Sequence, residues 1–238
     1  HRDLHSFPTR RSSDLTENSI ITETPMKTIK SPRIRPEEAL PKFLTQEEIT
    51  DLFQHLNQVR GSTRTFFNRL DLIIRLMYAS MARVSEICGL KIKDIDFSHN
   101  IIKVRGKGNK ERFIPIDPGT AALLKAHIEN RLLETDDLAS PLFLNLHGKP
   151  LKPRSLQRDL HALKEIMGFD GDKKLTPHVF RHTGATHLRQ NGMDISELQD
   201  LLGHANPNTT RIYAKNDMGQ LRHSYLEYHP LVHNQKDS

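Results

Sequence analysis

Apolar residues recur at helical spacing along most of the chain and alternate with polar residues in only one short region. The first helix is predicted to begin after Thr45, which forms a capping box with Glu48, and to continue to about Val59. A more apolar helix is predicted from Thr65 to Ser80, followed by a short helix from Arg83 towards Gly89. Further helices are predicted over residues 118–134, 153–167, 177–190, 195–202, 207–215 and 218–228.

Strands are predicted in the region between residues 94 and 116, where β-branched residues and period-two alternation coincide. Turn residues 98–100 and the Gly-rich residues 106–109 separate three segments. The predicted strands are Asp94–Phe97, Ile101–Arg105 and Arg112–Ile116. The sequence therefore predicts an α+β, mainly α fold with a small three-stranded antiparallel sheet.

The N-terminal residues carry no pattern of this kind. Residues 1–15 have no apolar periodicity, begin without Met and look like translated adapter or vector sequence, so we expect them to be non-native. Residues 16–42 are rich in Pro, Thr and charge, which is typical of a linker. We expect one folded domain, large enough to carry a catalytic site, over residues 43–230 and a flexible tail over residues 231–238.

Composition excludes several classes of protein. The hydrophobic fraction is 36%, and the longest apolar stretches, such as residues 70–74, are too short to cross a bilayer. The single cysteine, Cys88, rules out an internal disulfide framework and a Cys-rich zinc site, and weakly favours a reducing, cytoplasmic location. We expect no cofactor, no metal and no membrane.

The formal net charge is +6, and most of this surplus lies in the predicted β region. Seven cations against three carboxylates between residues 91 and 112 leave a local charge of +4. Those cations are Lys91, Lys93, Lys103, Arg105, Lys107, Lys110 and Arg112. Such clustering suits phosphate binding, but on charge alone a solvated surface hairpin is the favoured explanation.

Several short motifs could carry chemistry. His178 and Arg181 share a face at the start of a helix whose free N–H groups suit a phosphate. A metal site on the same helix with His182 and His187 is disfavoured, because no acidic or Cys ligand completes it. Taken alone, the segment with His178 and Arg181 is equally consistent with a capped surface helix.

Tyr213 follows His204 by nine residues, near the end of the chain. A tyrosine is normally a packing residue, and as a nucleophile its phenol, with a pKa near 10, needs cations and a proton acceptor nearby. Arg83 and Glu86, three residues apart, could supply part of that environment or form only a local surface ion pair.

The order of these motifs resembles the tyrosine recombinase (phage integrase) family, especially its XerC/XerD type. Arg-x-x-Glu, a Gly-Lys-Gly turn, His-x-x-Arg, Gly-His and then Tyr occur in sequence, and residues 226–230 look like that group's C-terminal end. The resemblance implies that Tyr213 is the nucleophile, Arg83 and Arg181 hold the scissile phosphate, and His204 donates a hydrogen bond to it. It also implies that His178 accepts the tyrosine proton, Lys107 protonates the leaving 5′-oxygen and Glu86 supports Arg83. Lys103, Arg105, Lys110 and Arg112 are expected to contact DNA.

The resemblance further implies a double-stranded DNA partner and a homo- or hetero-tetramer that assembles through the C-terminal helix. Met81-Ala82 stands where the family often has Gly-Leu, and residues 1–15 stand where it usually has a DNA-clamping domain. Two alternatives therefore stay open: a DNA-binding module that no longer recombines, and an enzyme similar to a type IB topoisomerase.

Overall fold

A computed structural model describes residues 43–59, 64–167, 175–203 and 215–233. Two helices open the domain: α1 (Gln46–Val59) and α2 (Arg64–Ser80). Helix α1 begins as predicted, since Glu48 accepts the Thr45 backbone N–H at 2.7 Å and the Thr45 hydroxyl accepts that of Glu48 at 3.2 Å. Helix α2 is buried over nearly its whole C-terminal half, and the hydrophobic core surrounds it.

The short helix α3 (Val84–Cys88) leads into the sheet of β1 (Ile95–Asp96), β2 (Ile101–Arg105) and β3 (Glu111–Pro115). The strands are antiparallel in the order β1-β2-β3, and Val104 pairs with Arg112. Ile102, Val104 and Ile114 are buried on the inner face, so the sheet covers one side of the core. The predicted fold class is confirmed, although β1 is shorter than the alternation suggested.

Helices account for most of the remaining described residues. They are α4 (Pro118–Leu132), α5 (Pro153–Ile166), α6 (Pro177–Gln190), α7 (Ile195–Leu202), α8 (Lys215–Tyr228) and α9 (Pro230–His233). Each of α4, α5 and α6 has Pro in its first turn, where no backbone N–H is needed. The predicted helix over residues 207–215 lies outside the described residues, apart from its last position.

The C-terminal helices pack into the core of this chain. Leu221 and Tyr225, which carry the apolar stripe of α8, are 8% and 0% exposed, and Leu231 in α9 is 8% exposed. Order therefore extends beyond residue 230, where we expected the domain to end. Leu221 and Tyr225 therefore pack within this chain.

Within the described residues, no helix combines the length and apolar character that crossing a membrane requires.

Candidate active site

Helix α6 presents His178 and Arg181 at its N-terminal end. Thr176 caps the helix by accepting the Val179 N–H at 3.3 Å, and Pro177 occupies the first helical position. His178 is exposed, whereas Arg181 is half-buried. The Arg181 guanidinium donates to the carbonyl oxygens of Met81 and Leu202, the latter at 2.8 Å. Arg181 thus joins the end of α2 to the end of α7.

Arg181 can reach Met81 because α6 and α2 approach each other closely at Gly184. A Cβ added at Gly184 would lie only 2.4 Å from the Tyr78 carbonyl oxygen and 2.9 Å from Met81 Cγ. Next to this contact, the Tyr78 hydroxyl lies 2.8 Å from His187 Nδ1 in the core. Only a residue without a side chain permits this helix spacing.

The chain turns sharply between α2 and Arg83. Met81 has a φ of 50°, in the left-handed region that glycine adopts at little cost. The segment then becomes extended, and Arg83, with φ −68° and ψ 152°, precedes the first residue of α3. This left-handed position is the one where the resembled family often has Gly, which gives a physical reason for glycine there.

Glu86 holds Arg83 by two contacts. One carboxylate oxygen accepts the Arg83 backbone N–H at 2.7 Å, and the other lies 3.2 Å from the Arg83 guanidinium. The Arg83 side chain remains 44% exposed, whereas that of Glu86 is 1% exposed. Burial raises the pKa of Glu86, but hydrogen bonds from Arg112 and from the Arg83 backbone outweigh burial and leave the pKa below its ordinary value.

Arg112 lies in the interior of the protein, although we expected it to contact DNA. It is only 6% exposed, because its position on β3 faces inward, next to Ile114. Its guanidinium binds both Glu86 oxygens, at 2.6 and 2.9 Å, and donates from Nε to the Leu201 carbonyl at 3.2 Å. In this conformation Arg112 binds Glu86 and Leu201 inside the site and is not available to contact DNA.

The other cations of the hairpin lie near its surface. Arg105 bonds Glu111 at 2.8 Å and lies 3.5 Å from Asp94, and Lys103 lies 3.6 Å from Glu111. These carboxylates partly neutralise two of the cations, whereas Lys110 at the turn is exposed. The turn backbone over Lys107–Asn109 uses the left-handed region at Gly108 (φ 75°). The side chain of Lys107 is outside the described part of the structure.

His204 and Tyr213 also lie outside the described residues, which stop at Gly203 and resume at Lys215. The described part of the site therefore holds Arg83, Arg181, His178, the hairpin backbone and the buried pair of Glu86 and Arg112. Burial, followed by the nearby charges of Arg83 and Arg112, lowers the pKa of Arg181 to about 10. Arg181 remains cationic at neutral pH, so one carboxylate faces three guanidinium groups and the local field favours an anion.

The histidines of α6 are divided between surface and core. His178 and His182 are exposed, whereas His187 is 1% exposed and is bound to Tyr78. Burial lowers the pKa of His187. Among the described residues, no group of three or more His, Cys, Asp or Glu side chains is arranged to hold a metal ion.

The sequence profile of the phage integrase family matches residues 42–220. The chain is 40% identical over 197 residues to the tyrosine recombinase XerC of Halalkalibacterium halodurans, in an alignment that covers 80% of this chain and 63% of that protein. It is 36% identical to the tyrosine recombinase XerC of Thermodesulfovibrio yellowstonii, covering 92% of this chain and 72% of that one. The chain therefore spans less than two thirds of the first of these relatives.

Solved structures of recombinases share the fold. The XerA recombinase aligns with a TM-score of 0.59 and 31% identity, covering 82% of this chain and 67% of that one. The XerH site-specific recombinase, bound to a palindromic difH substrate in a post-cleavage complex, aligns with a TM-score of 0.63 and 28% identity. That alignment covers 84% of this chain and 57% of the XerH chain.

Proposed function

Since the chain belongs to the phage integrase family of tyrosine recombinases, we propose that it breaks and rejoins double-stranded DNA through a covalent bond to Tyr213. The family resemblance that the motifs suggested is confirmed by the match over residues 42–220. The observation that carries the proposal is the convergence of Arg83 and Arg181, from different helix ends, around the buried Glu86–Arg112 pair.

Two guanidinium groups suit a phosphodiester in the transition state. Their planar arrays of donors match phosphate oxygens, and phosphoryl transfer depends mainly on positioning and on stabilisation of the charge that develops. Arg83 keeps an exposed guanidinium while Glu86 fixes its backbone, and Arg181 is held by two carbonyl groups. Both cations are thus oriented before DNA binds, which lowers the cost of reorganisation during the reaction.

The proposed reaction conserves the energy of the phosphodiester bond. The Tyr213 oxygen attacks phosphorus, its proton passes to His178, and the bond from phosphorus to the 5′-oxygen breaks. Lys107 protonates that oxygen, and His204 donates a hydrogen bond to a phosphate oxygen. The products are a 3′-phosphotyrosyl bond and a free 5′-hydroxyl, and attack by a 5′-hydroxyl reverses these steps, so rejoining needs no ATP.

The burial of two of the other three tyrosines supports Tyr213 as the nucleophile. Tyr78 and Tyr225 are 0% exposed, and burial raises the pKa of both phenols well above the ordinary value. Tyr228 is partly buried against Gly192. A buried phenol with a raised pKa is a poor nucleophile and has no path to DNA.

Covalent capture tests the proposal. A randomised pool of nicked duplexes, from which the short cleaved strand diffuses away, should trap the chain as a protein–DNA adduct. Tyr213→Phe should bind the captured duplex but form no adduct, whereas Tyr228→Phe should still form it. An adduct with Tyr213→Phe, or no adduct with the unsubstituted chain, would contradict the proposal.

We also propose that the chain assembles on DNA as a tetramer that joins two duplexes. Leu221 and Tyr225 are buried within the chain, so the C-terminal helix would contact a neighbouring subunit through its other residues. Sedimentation of the chain with the captured duplex should give four chains to two duplexes, and a complex of one chain with one duplex would argue against assembly.

A further inference from the structure

Arg112 lies at the junction of three segments that lead to proposed catalytic residues. These are the Arg83 segment, the hairpin turn with Lys107, and the end of α7, beyond which His204 follows. Arg112 itself is buried and cannot contact DNA in this conformation. Its contacts indicate how it could nevertheless affect the reaction.

Glu86 connects Arg112 to Arg83. Each Glu86 oxygen accepts from both arginines: one from Arg112 Nη1 at 2.6 Å and Arg83 Nη1 at 3.2 Å, the other from Arg112 Nη2 at 2.9 Å and the Arg83 backbone N–H at 2.7 Å. The two-point contact with Arg112 fixes the plane of the carboxylate. That plane in turn sets the position of the Arg83 backbone and side chain.

The end of α7 rests on the same guanidinium. Arg112 Nε donates to the Leu201 carbonyl at 3.2 Å, and Arg181 donates to the next carbonyl, Leu202, at 2.8 Å. Gly203 then turns with a φ of 64°, and a Cβ there would lie 3.0 Å from Arg112 Cδ and Nε. Two arginines therefore hold consecutive carbonyl groups at the point where the chain leaves α7 for His204.

The hairpin meets the pair at Gly106, the residue before Lys107. A Cβ at Gly106 would lie 3.3 Å from Glu86 Oε1 and 3.9 Å from Arg112 Nη1. The Gly106 N–H donates to the Lys110 carbonyl at 2.8 Å, which closes the turn over the ion pair. The base of the turn that carries Lys107 is thus in contact with Glu86.

We propose that Arg112 is a positioning residue, which sets the relative placement of Arg83, the Lys107 turn and the end of α7 for cleavage. The inference rests on the proposed strand-cleavage function and deepens it. Arg112, although part of the basic hairpin, would act through its contacts with Glu86 and Leu201 and not by contacting DNA. Because an error of about 1 Å in such a site can cost about 10²-fold in rate, loss of Arg112 should act on the chemical step.

Arg112→Lys and Arg112→Met test this, with Arg69→Lys and Arg69→Met as matched controls. Arg69 is also a buried arginine, 8% exposed, that bonds a carboxylate (Asp159, 2.9 Å) and a carbonyl (Leu144, 2.8 Å), but it lies near the other end of α2. Lysine keeps the charge but cannot span both Glu86 oxygens and a carbonyl. Thermal unfolding of all four variants identifies a temperature at which each is folded.

At that temperature, the rate of adduct formation with saturating captured duplex and the Kd for the duplex are measured separately. Both Arg112 variants should form adduct about 10²-fold more slowly with a Kd within about threefold of the unsubstituted chain. The Arg69 variants should lose similar thermal stability but keep the rate within about threefold. Arg112 variants with an unchanged rate, or Arg69 variants slowed to the same extent, would overturn the inference. Absence of adduct with the unsubstituted chain would instead refute the proposed function.

Discussion

Gly184 sets the distance between α2 and α6, and Gly184→Ala tests that distance directly. The added methyl would lie 2.4 Å from the Tyr78 carbonyl oxygen, which belongs to the backbone and cannot rotate away. Relief to an ordinary contact requires the two helices to separate by roughly 1 Å, and forced overpacking typically costs about 1–3 kcal/mol. Alanine returns about 1 kcal/mol through its higher helix propensity.

The same separation should affect Arg181, which lies one turn before Gly184 on α6. Separating α2 from α6 by roughly 1 Å would take the Met81 carbonyl, at the end of α2, beyond hydrogen-bonding distance of the Arg181 guanidinium. Loss of a hydrogen bond from a charged group adds about 1.5–3 kcal/mol. We therefore expect Gly184→Ala to lower the free energy of unfolding by about 2 kcal/mol or more and the rate of adduct formation by about 10²-fold.

Urea unfolding and single-turnover adduct formation measure the two effects, with Gly219→Ala as the control. Gly219 is an exposed helical glycine in α8, and a Cβ there would meet nothing within 4 Å. The control should raise the free energy of unfolding by about 0.5–1 kcal/mol and leave the rate unchanged. If Gly184→Ala raises the free energy of unfolding as Gly219→Ala does, then α2 and α6 do not approach each other as closely as described.

Three further predictions concern single side chains. Arg181→Lys should slow adduct formation by about 10²–10³-fold, because an ammonium cannot hold two carbonyls and a phosphate together, and an unchanged rate would exclude Arg181 from the site. Lys110→Gln should weaken DNA binding and reduce the slope of log affinity against log salt by about 1, whereas an equal reduction for Lys125→Gln, at an exposed position of α4, would point to net charge alone. Burial lowers the pKa of His229 to about 4 from its ordinary value of 6.5, so the unfolded chain binds the extra proton between these values. This contribution to the free energy of unfolding should be complete above about pH 6.5 and fall by about 3 kcal/mol as the pH decreases towards 4. His229→Gln should flatten the dependence of the urea midpoint on pH over this range, and His161→Gln, at an exposed position of α5, should not.

Local sequence signals predicted the helices and strands that begin or end with specific chemistry. Thr176-Pro177 and Asp194 placed α6 and α7 at their observed bounds, because a side-chain cap or a proline acts within a few residues. The alternation over Ile101–Arg105 placed β2 at its observed bounds for the same local reason. The start of α8 was predicted three residues late, since nothing in its first turn has a distinctive pattern.

The contacts that assemble the site depend on residues far apart in sequence. Arg112 meets Glu86 and Leu201, 26 and 89 positions away, and no local pattern specifies such pairs. One signal was nevertheless present: Arg112 shares its strand face with Ile114, so alternation alone would have placed it inward. The density of positive charge around it suggested a surface role, whereas the structure buries its guanidinium against Glu86.

The close approach at Gly184 was also not predicted. A glycine within a helix lowers helix propensity, and the sequence does not say whether the compensation is packing or function. The partners, Tyr78 in α2 and Met81 directly after it, lie about 100 residues earlier, so the reason for glycine becomes visible only in three dimensions.

The burial of His229 predicts which truncations of this protein still allow it to fold. Its ring lies 4.8 Å from that of Tyr225 and 5.2 Å from that of Tyr78, and its Nδ1 accepts the Leu231 N–H at 3.2 Å. A premature stop codon before His229 would remove an aromatic stack from the centre of the protein, not a dispensable tail. Nonsense and frameshift mutations at or before position 229 are therefore expected to yield chains that cellular proteases degrade, because each of those chains lacks this stack.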